Sequence, residues 1–570
     1  MSPLGVATTR FDERVACALG QMGSAQITFE QSQGVCGAGV LFMLPSLLAQ
    51  GLLKTKDVYS LPSNHYYGLE SIVLTLAFMA LARIKNPEQL KQCKPGEIGR
   101  IIGLDRIPEV KCLREKIKIL TNQYQGIRLN NLLIDYWYSG KNKDDAQFLY
   151  IDGHVRIYFG DKANLPVKYV SRQKLCLSAT SEYWVNDAKG WPVMMVMGEL
   201  TEKLQYVIEH QIIPQLEQTS LLTQKETIDS KEPRCTFVFD REAYEPSFFD
   251  RLWKEHKIAV ITYRKNVKDN WEEDCFKTTI VPVLEQNVNM NIYEKKTELG
   301  GYWFREIRRL GATGHQTSII TTHPTLETHI VAGRMFGRWC QENFFRYLIQ
   351  DYDFDKMISF GTEPIDMDKQ VVNPEYRRIN HQIKKLRERI QRLEAKFYPL
   401  VQQAMDDPLD ILPKITNKQI DYKLKLDEYH LMENELLLKR NQMLPKIKLS
   451  QMPEQKRYNK LKTESKIFMN VIKMICYRAE SSVATLITPF LAKAIDEKRM
   501  FVKQIISNNA DIAPDYENKT LTITLHSLSA NRFNMAAFDL TKLLNDTETI
   551  FPGTDLKMIF KISAFSFCEK

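Results

Sequence analysis

Gln147-Phe-Leu-Tyr-Ile-Asp-Gly-His-Val-Arg-Ile-Tyr-Phe159 sets a single acid into an otherwise apolar and aromatic alternation. Tyr150, Asp152, His154, Arg156 and Tyr158 fall on one side, and Leu149, Ile151, Val155 and Ile157 on the other, the period of two that a strand requires. Downstream, Glu182-Tyr-Trp-Val, the turn Asn186-Asp-Ala-Lys-Gly190 and Pro192-Val-Met-Met-Val-Met read as a hairpin. Leu200 to Leu216 is helical, Cys235-Thr-Phe-Val-Phe-Asp240 is a buried strand, Pro246 to His256 a helix, and Ile258-Ala-Val-Ile-Thr-Tyr263 another strand. Three antiparallel strands, helix, strand, helix, strand is the order of an α/β sheet of the RNase H type.

Working outward, residues 266–322 read as strands without matching helices, a β-rich insertion, and Thr325 to Gln350 reads as one long helix. Together, 145–265 and 323–360 form the expected RNase H-like core. Residues 1–60 are an N-terminal helical segment and 61–140 a helical unit. Within it the helix from Pro95, the break at Gly103-Leu-Asp-Arg106 and the basic helix after Pro108 suit a helix-turn-helix that enters a DNA groove. The segment 81–128 has eleven Lys/Arg against five Asp/Glu, so Lys111, Arg114 and Lys118 are candidate phosphate contacts. A solvated basic face on an ordinary bundle is the other reading. In 370–450, Tyr376, Ile379, Ile383, Leu386, Ile390, Leu393 and Phe397 form a coiled-coil seam ended by Pro399. A second stripe at Tyr422, Leu426, Tyr429, Leu436 and Met443 makes an antiparallel hairpin joined by 399–416, or a dimer arm. Residues 455–570 complete the chain as an α+β domain, with strands at Leu521–Leu525 and Leu556–Ile562.

Composition narrows the class. At 570 residues with 44% hydrophobic and 26% charged residues, the chain is neither disordered nor fibrous. A net charge of +9 allows a polyanionic partner. Ten cysteines lie singly, with no C-x-x-C pair for zinc and no dense framework for secretion, so free thiols in a reducing cytosol are expected. Gly34 to Leu53 is uncharged and long enough to cross a bilayer, but Pro45, Gln50 and the glycines at 34, 37, 39 and 51 favour a buried helical hairpin. Asp12 and Glu13 with no apolar run close behind leave no signal peptide in view. No membrane partner and a cytoplasmic location are therefore expected.

Three acids stand out by position: Asp152 inside the first strand, Asp240 ending the buried strand, and Glu342 one turn after Arg338. A carboxylate buried alone is costly, so each needs a partner or a metal. The sheet order sets the first strand beside the one ending at Asp240, with the Glu342 helix across that edge. Divalent cations with oxygen ligands would neutralise such a group, Mg2+ being the natural fit and Mn2+ a substitute. Two ions about 4 Å apart could activate an attacking oxygen and stabilise a leaving one in phosphodiester transfer.

Tyr150-Ile-Asp-Gly-His154, Phe239-Asp-Arg-Glu-Ala-Tyr244 and Arg338-Trp-Cys-Gln-Glu-Asn-Phe-Phe345 resemble the three catalytic motifs of bacterial insertion-sequence DDE transposases, in the group with Tyr, Arg, Glu and Lys on the glutamate helix. Glu97-Ile-Gly-Arg-Ile-Ile-Gly-Leu-Asp-Arg106 and Tyr477-Arg-Ala-Glu480 also look like blocks of a transposase subgroup with long termini. The resemblance implies metal-dependent DNA strand cleavage and strand transfer, with Asp152, Asp240 and Glu342 as catalytic metal ligands. It also implies double-stranded DNA partners (terminal inverted repeats and target), a homodimer or larger assembly in synapsis, and a bacterial, nucleoid-associated setting. Arg338 and Glu342 match the family pattern; the Tyr and Lys positions are Met335 and Ile349 here. Arg346, one turn after Glu342, could contact phosphate in the place of that Lys.

Around the triad, Arg264 and Lys265 follow a strand end that should point toward the site and suit a backbone phosphate. His154 could touch DNA, a metal-bound water or a structural partner. His315, His323 and His329 lack a metal-ligand spacing and read as structural, and Trp339 reads as core. A nuclease of the same fold without joining activity, and a non-catalytic DNA-binding or scaffold protein, both stay open at this level.

Overall fold

The uncharged run after Glu30 folds inward. In the computed structural model, which describes residues 7–139, 146–170, 173–199, 202–222, 232–284, 286–353, 361–406, 412–491 and 495–563, helix α1 (Phe11–Ala18) and strand β1 (Ser32–Val35) precede it. A 3-10 turn at Ala38–Met43, helix α2 (Leu44–Ala49) and a second 3-10 turn at Leu52–Asp57 follow, with Ala38, Leu41, Phe42, Leu44 and Leu47 fully buried. Among the described residues no helix is long and apolar enough to cross a membrane. Helices α3 (Leu69–Leu81), α4 (Pro95–Ile101), α5 (Val110–Thr121) and α6 (Gly126–Trp137) come next. Gly103, at φ +67°, makes the left-handed turn that stops α4.

The central sheet has ten strands. β2 (Phe148–Ile157), β3 (Val167–Val170), β4 (Leu175–Asn186) and β5 (Pro192–Gly198) are followed by α7 (Leu204–Val207), a π turn at Ile208–Ile212 and α8 (Ile213–Glu217). Then come β6 (Cys235–Phe239), α9 (Pro246–His256) and β7 (Ile258–Tyr263). β5 pairs with β4 and β4 with β2, both antiparallel, while β6 runs parallel to β2 and β7 parallel to β6. This mixed sheet carries apolar side chains on both faces of β6 and β7, which are buried throughout except at Tyr263.

Among the described residues, 266–322 carry strands with no α-helix between them. β8 (Lys277–Val283), β9 (Gln286–Leu299), β10 (Tyr302–Leu310) and β11 (Gln316–Thr321) extend the same sheet, because β11 pairs antiparallel with β7 through Ile319–Tyr263 and Thr321–Ile261. The single helix expected over 325–350 is two: α10 (Thr328–Phe336) and α11 (Trp339–Tyr352), broken at Gly337 and Arg338. Within α10 the packing on β8 is close, since a Cβ at Gly333 would lie 2.2 Å from the Pro282 carbonyl oxygen.

After the short strands β12 (Thr362–Glu363) and β13 (Gln370–Val372), α12 (Pro374–Asp406) and α13 (Leu412–Asn441) form the helical hairpin. Pro399 does not end α12, which continues through it to Asp406. Of the connection expected at 399–416, residues 407–411 lie outside the described residues. Strands β14 (Lys446–Lys448) and β15 (Lys460–Leu461) pair with β13 and β12 and tie the hairpin base to the body. Helix α14 (Glu464–Leu486) is buried over nearly its whole length and packs on α2, α3, α5, α6 and β5. It is followed by α15 (Ile495–Ser507), β16 (Ala510–Asp515), β17 (Thr520–Leu525), α16 (Asn531–Asn545) and β18 (Lys557–Ile562).

The N-terminal 60 residues are neither purely helical nor separate. β1 pairs antiparallel with β16 and becomes the edge of the C-terminal four-stranded sheet. The first 3-10 turn packs so tightly on α15 that a Cβ at Gly39 would sit 1.9 Å from the Ile505 carbonyl oxygen. One apolar core runs from these terminal elements through α14 into the central sheet.

Candidate active site

The parallel register of β2 and β6 pairs Ile151 with Phe239, so Asp152 and Asp240, one residue further along each strand, stand side by side. Asp240 begins the 3-10 turn after β6, its Oδ1 accepting a hydrogen bond from the Arg241 backbone N–H at 2.7 Å. Asp152 Oδ1 accepts from the Gly153 N–H at 2.9 Å. Glu342 lies in the first turn of α11, where the helix dipole favours a carboxylate.

Arg338, at the break before α11, joins all three. Its guanidinium lies 2.8 Å from Glu342, 3.7 Å from Asp152 and 3.8 Å from Asp240, with its side chain only 12% exposed. Tyr263, at the end of β7, packs beside this group, and its phenol pKa is raised, first by burial. The orientation of α11 rests on Gln341, a fully buried side chain that sequence reading missed. Its amide donates to the carbonyls of Tyr150 and Trp184 and to Asn186 Oδ1 at 3.0–3.2 Å, stapling the glutamate helix to β2 and β4. From the other side, the Tyr150 hydroxyl donates to the Arg334 carbonyl on α10 at 3.0 Å.

Charge is concentrated here beyond what Arg338 neutralises. Burial pushes the Asp152 carboxyl up to about 6; Arg338 and the Gly153 N–H pull it down, and Asp240 and Glu342 push it further up. Glu242, two residues past Asp240, is a fourth acid that sequence reading passed over. Its carboxyl is raised by loss of hydration and then by Asp152, and one of its oxygens would lie 3.0 Å from a Cβ at Gly153. The signal was available, since Glu242 lies within the stretch Phe239–Tyr244.

All-oxygen carboxylate ligands carrying surplus negative charge fit a hard divalent cation by chemistry. Among the described residues, however, no group of three His, Cys, Asp or Glu stands ready to hold a metal. The carboxylates are spread around the Arg338 guanidinium, so a cation would have to take over its position.

The remaining candidates divide. Lys265 is half-exposed near the site, 5.8 Å from the Tyr244 ring and close enough to Glu242 to lower its carboxyl pKa. Arg346 is exposed one turn beyond Glu342. Arg264 is not a free phosphate contact: its guanidinium pairs with the fully buried Glu306 at 2.7 Å, which also binds Arg308 at 2.7 Å. A carboxylate inside the extended sheet needs those cations, and Arg264 is spent on it. Trp339 is 48% exposed rather than core, because the break at Gly337 turns the first residue of α11 outward.

His154 stacks on Phe345 with centroids 5.8 Å apart. His323 is buried, its Nδ1 accepting from the Leu326 N–H, and burial lowers its pKa to about 4. His329 contacts Glu327 at 3.3 Å. On α5, Lys111, Arg114 and Lys118 share an exposed face while Leu113, Ile117 and Leu120 point inward, and Arg114 pairs with Glu88 at 2.5 Å. Eight cysteines are free thiols; the Cys340 side chain and Cys568 lie outside the described residues.

Fold and site thus define a mixed α/β protein with an acid cluster at the carboxyl end of two parallel strands, gathered on one arginine. The chain belongs to the family described as Transposase protein, which matches residues 5–564, and so to the transposases, DNA-processing enzymes. No curated protein and no solved structure shows significant similarity to it.

Proposed function

We propose that this transposase is of the DDE type, cutting and joining DNA strands at the ends of an insertion sequence with divalent cations held by Asp152, Asp240 and Glu342. The convergence of these three carboxylates on Arg338, from parts of the chain nearly 200 residues apart, carries the reading. The strand order β5-β4-β2-β6-β7, three antiparallel then two parallel, supports an RNase H-like core.

Mg2+, or Mn2+ in its stead, would supply Lewis-acid activation of the attacking and leaving oxygens. The chain's own residues do the rest. Asp152, Asp240 and Glu342 would act as ligands in their ionised form, and burial holds the Asp152 carboxyl above the ordinary carboxylate range. Arg338 pairs with all three carboxylates, and a cation bound by them would free its guanidinium for a substrate phosphate. Gln341 keeps Glu342 in register with the strands. Lys265 and Arg346 at the rim, Lys111, Arg114 and Lys118 on α5, and the basic face of α12 would supply phosphate contacts to double-stranded DNA, target and terminal repeats alike. Synapsis of two ends calls for at least two copies.

The test is nicking and joining of end-containing oligonucleotides in Mg2+. Asp152→Asn should lose both reactions by at least a thousandfold while retaining DNA affinity, roughly the scale of removing a principal catalytic group. Cutting at the wild-type rate would overturn the assignment. Cutting without joining in the wild type would leave a nuclease.

A further inference from the structure

A cavity of about 380 Å3 opens between β2, β4 and β5 of the central sheet, helix α8, strand β15 and the start of α14. Leu165, Met195, Val196, Met197, Ile365 and Leu461 give it apolar walls. That volume suits a small organic ligand, and two methionines on one strand adapt readily to an apolar or aromatic body. The catalytic acids take no part in it. Arg156, the residue of β2 that lines the cavity, lies four residues beyond Asp152, about 13 Å along the strand.

The polar lining is cationic. Arg156 is 3% exposed and Lys466 of α14 is 4% exposed, and both pair with the fully buried Glu182, at 3.0 and 3.7 Å. Arg156 also donates to the Thr180 hydroxyl at 3.3 Å, while its Nε meets no acceptor among the described residues. A buried donor left unmet is costly, and an ion or a water is the usual remedy. At the rim, Lys460 and Lys369 share Glu199 at 2.9 and 2.6 Å, and Lys369 reaches Glu202 at 2.7 Å. Lys462 is exposed there and makes no ion pair among the described residues. Of these groups, five are cations and three are carboxylates, an excess of two positive charges.

We propose that this cavity binds a free phosphomonoester with an apolar body, the head on Arg156 and Lys466 and the body against Met195 and Met197. A phosphomonoester carries close to two negative charges at neutral pH, which matches the excess, whereas a carboxylate or sulfonate supplies one. Arg156 offers directional donors to the phosphate oxygens and Lys466 a point charge. The site stands apart from the metal-dependent reading, and its test contains neither DNA nor divalent cation.

Isothermal titration calorimetry of the full chain with phenyl phosphate reads it. Wild type should bind this probe at least about tenfold more tightly than benzenesulfonate, which has one charge, or inorganic phosphate, which has no body. Met197→Trp, which fills the cavity and keeps every charge, should abolish binding. Lys462→Glu, at the exposed rim, should weaken it at least about threefold with the unfolding midpoint unchanged. No saturable heat with wild type, or unchanged binding in both variants, overturns the site. Displacement of phenyl phosphate by a 5′-phosphorylated single-stranded oligonucleotide, but not by its unphosphorylated form, overturns a free small molecule as the occupant.

Discussion

Asp152 is the residue whose environment most opposes its charge. Its carboxyl is raised from the ordinary carboxylate value to about 6 by burial, against the pull of Arg338. The folded state therefore holds a proton that the unfolded chain releases near pH 4. The associated stability is complete below that value and is lost as pH rises through about 6. Asn cannot ionise, so Asp152→Asn should be more stable than wild type above pH 6, by at most about 3 kcal/mol, and the gap should close between pH 6 and pH 4. Urea unfolding of both proteins across that range checks this. Arg338→Ala removes the main group that favours the ionised form, and the same pH transition should move upward. A midpoint that stays still or falls would mean that Arg338 does not govern the cluster.

At the scale of elements, the site depends on how α11 sits on the sheet, and Gln341 is the joint. Gln341→Leu keeps the volume but strips the three acceptors on Tyr150, Trp184 and Asn186 of a donor. The expected cost is about 1–3 kcal/mol, by chemical denaturation. Because the joint positions Glu342, the variant should also lose nicking rate with DNA affinity unchanged, whereas a purely structural role predicts full activity in the molecules that remain folded. The strands of 266–322 depend in the same way on a distant partner. Their sequence alternates like any exposed hairpin, and only the β11–β7 pairing makes them an extension of the central sheet.

For the whole molecule, a buried charged node ties the two ends of the chain to the glutamate helix. Glu480 of α14, 1% exposed, accepts from Arg83 at 2.8 Å and from the Tyr347 hydroxyl of α11 at 2.9 Å, and Arg499 of α15 lies 3.6 Å away. Arg83, just beyond α3, also donates to the Tyr347 hydroxyl and contacts Asp351 near the end of α11. Glu480→Ala would leave Arg83 and Arg499 without their shared counter-charge. It should destabilise by about 3–5 kcal/mol, read as a lowered unfolding midpoint of the full chain. A variant that unfolds like wild type would show the node to be dispensable.

The amino-acid sequence by itself determined the strands β2, β6 and β7, the amphipathic hairpin of α12 and α13, and the three acids, because period, turn residues and a charge in an apolar run are local properties. It could not reveal that β1 belongs to the C-terminal sheet, that Arg264 is consumed by Glu306, or that Trp339 faces water. Pairing between β1 and β16 joins segments almost 480 residues apart, and the Arg264 pair forms only when β10 lies beside β11 and β7. Such facts depend on which distant surfaces meet, and burial, which sets the cost of a charge, exists only once they have met.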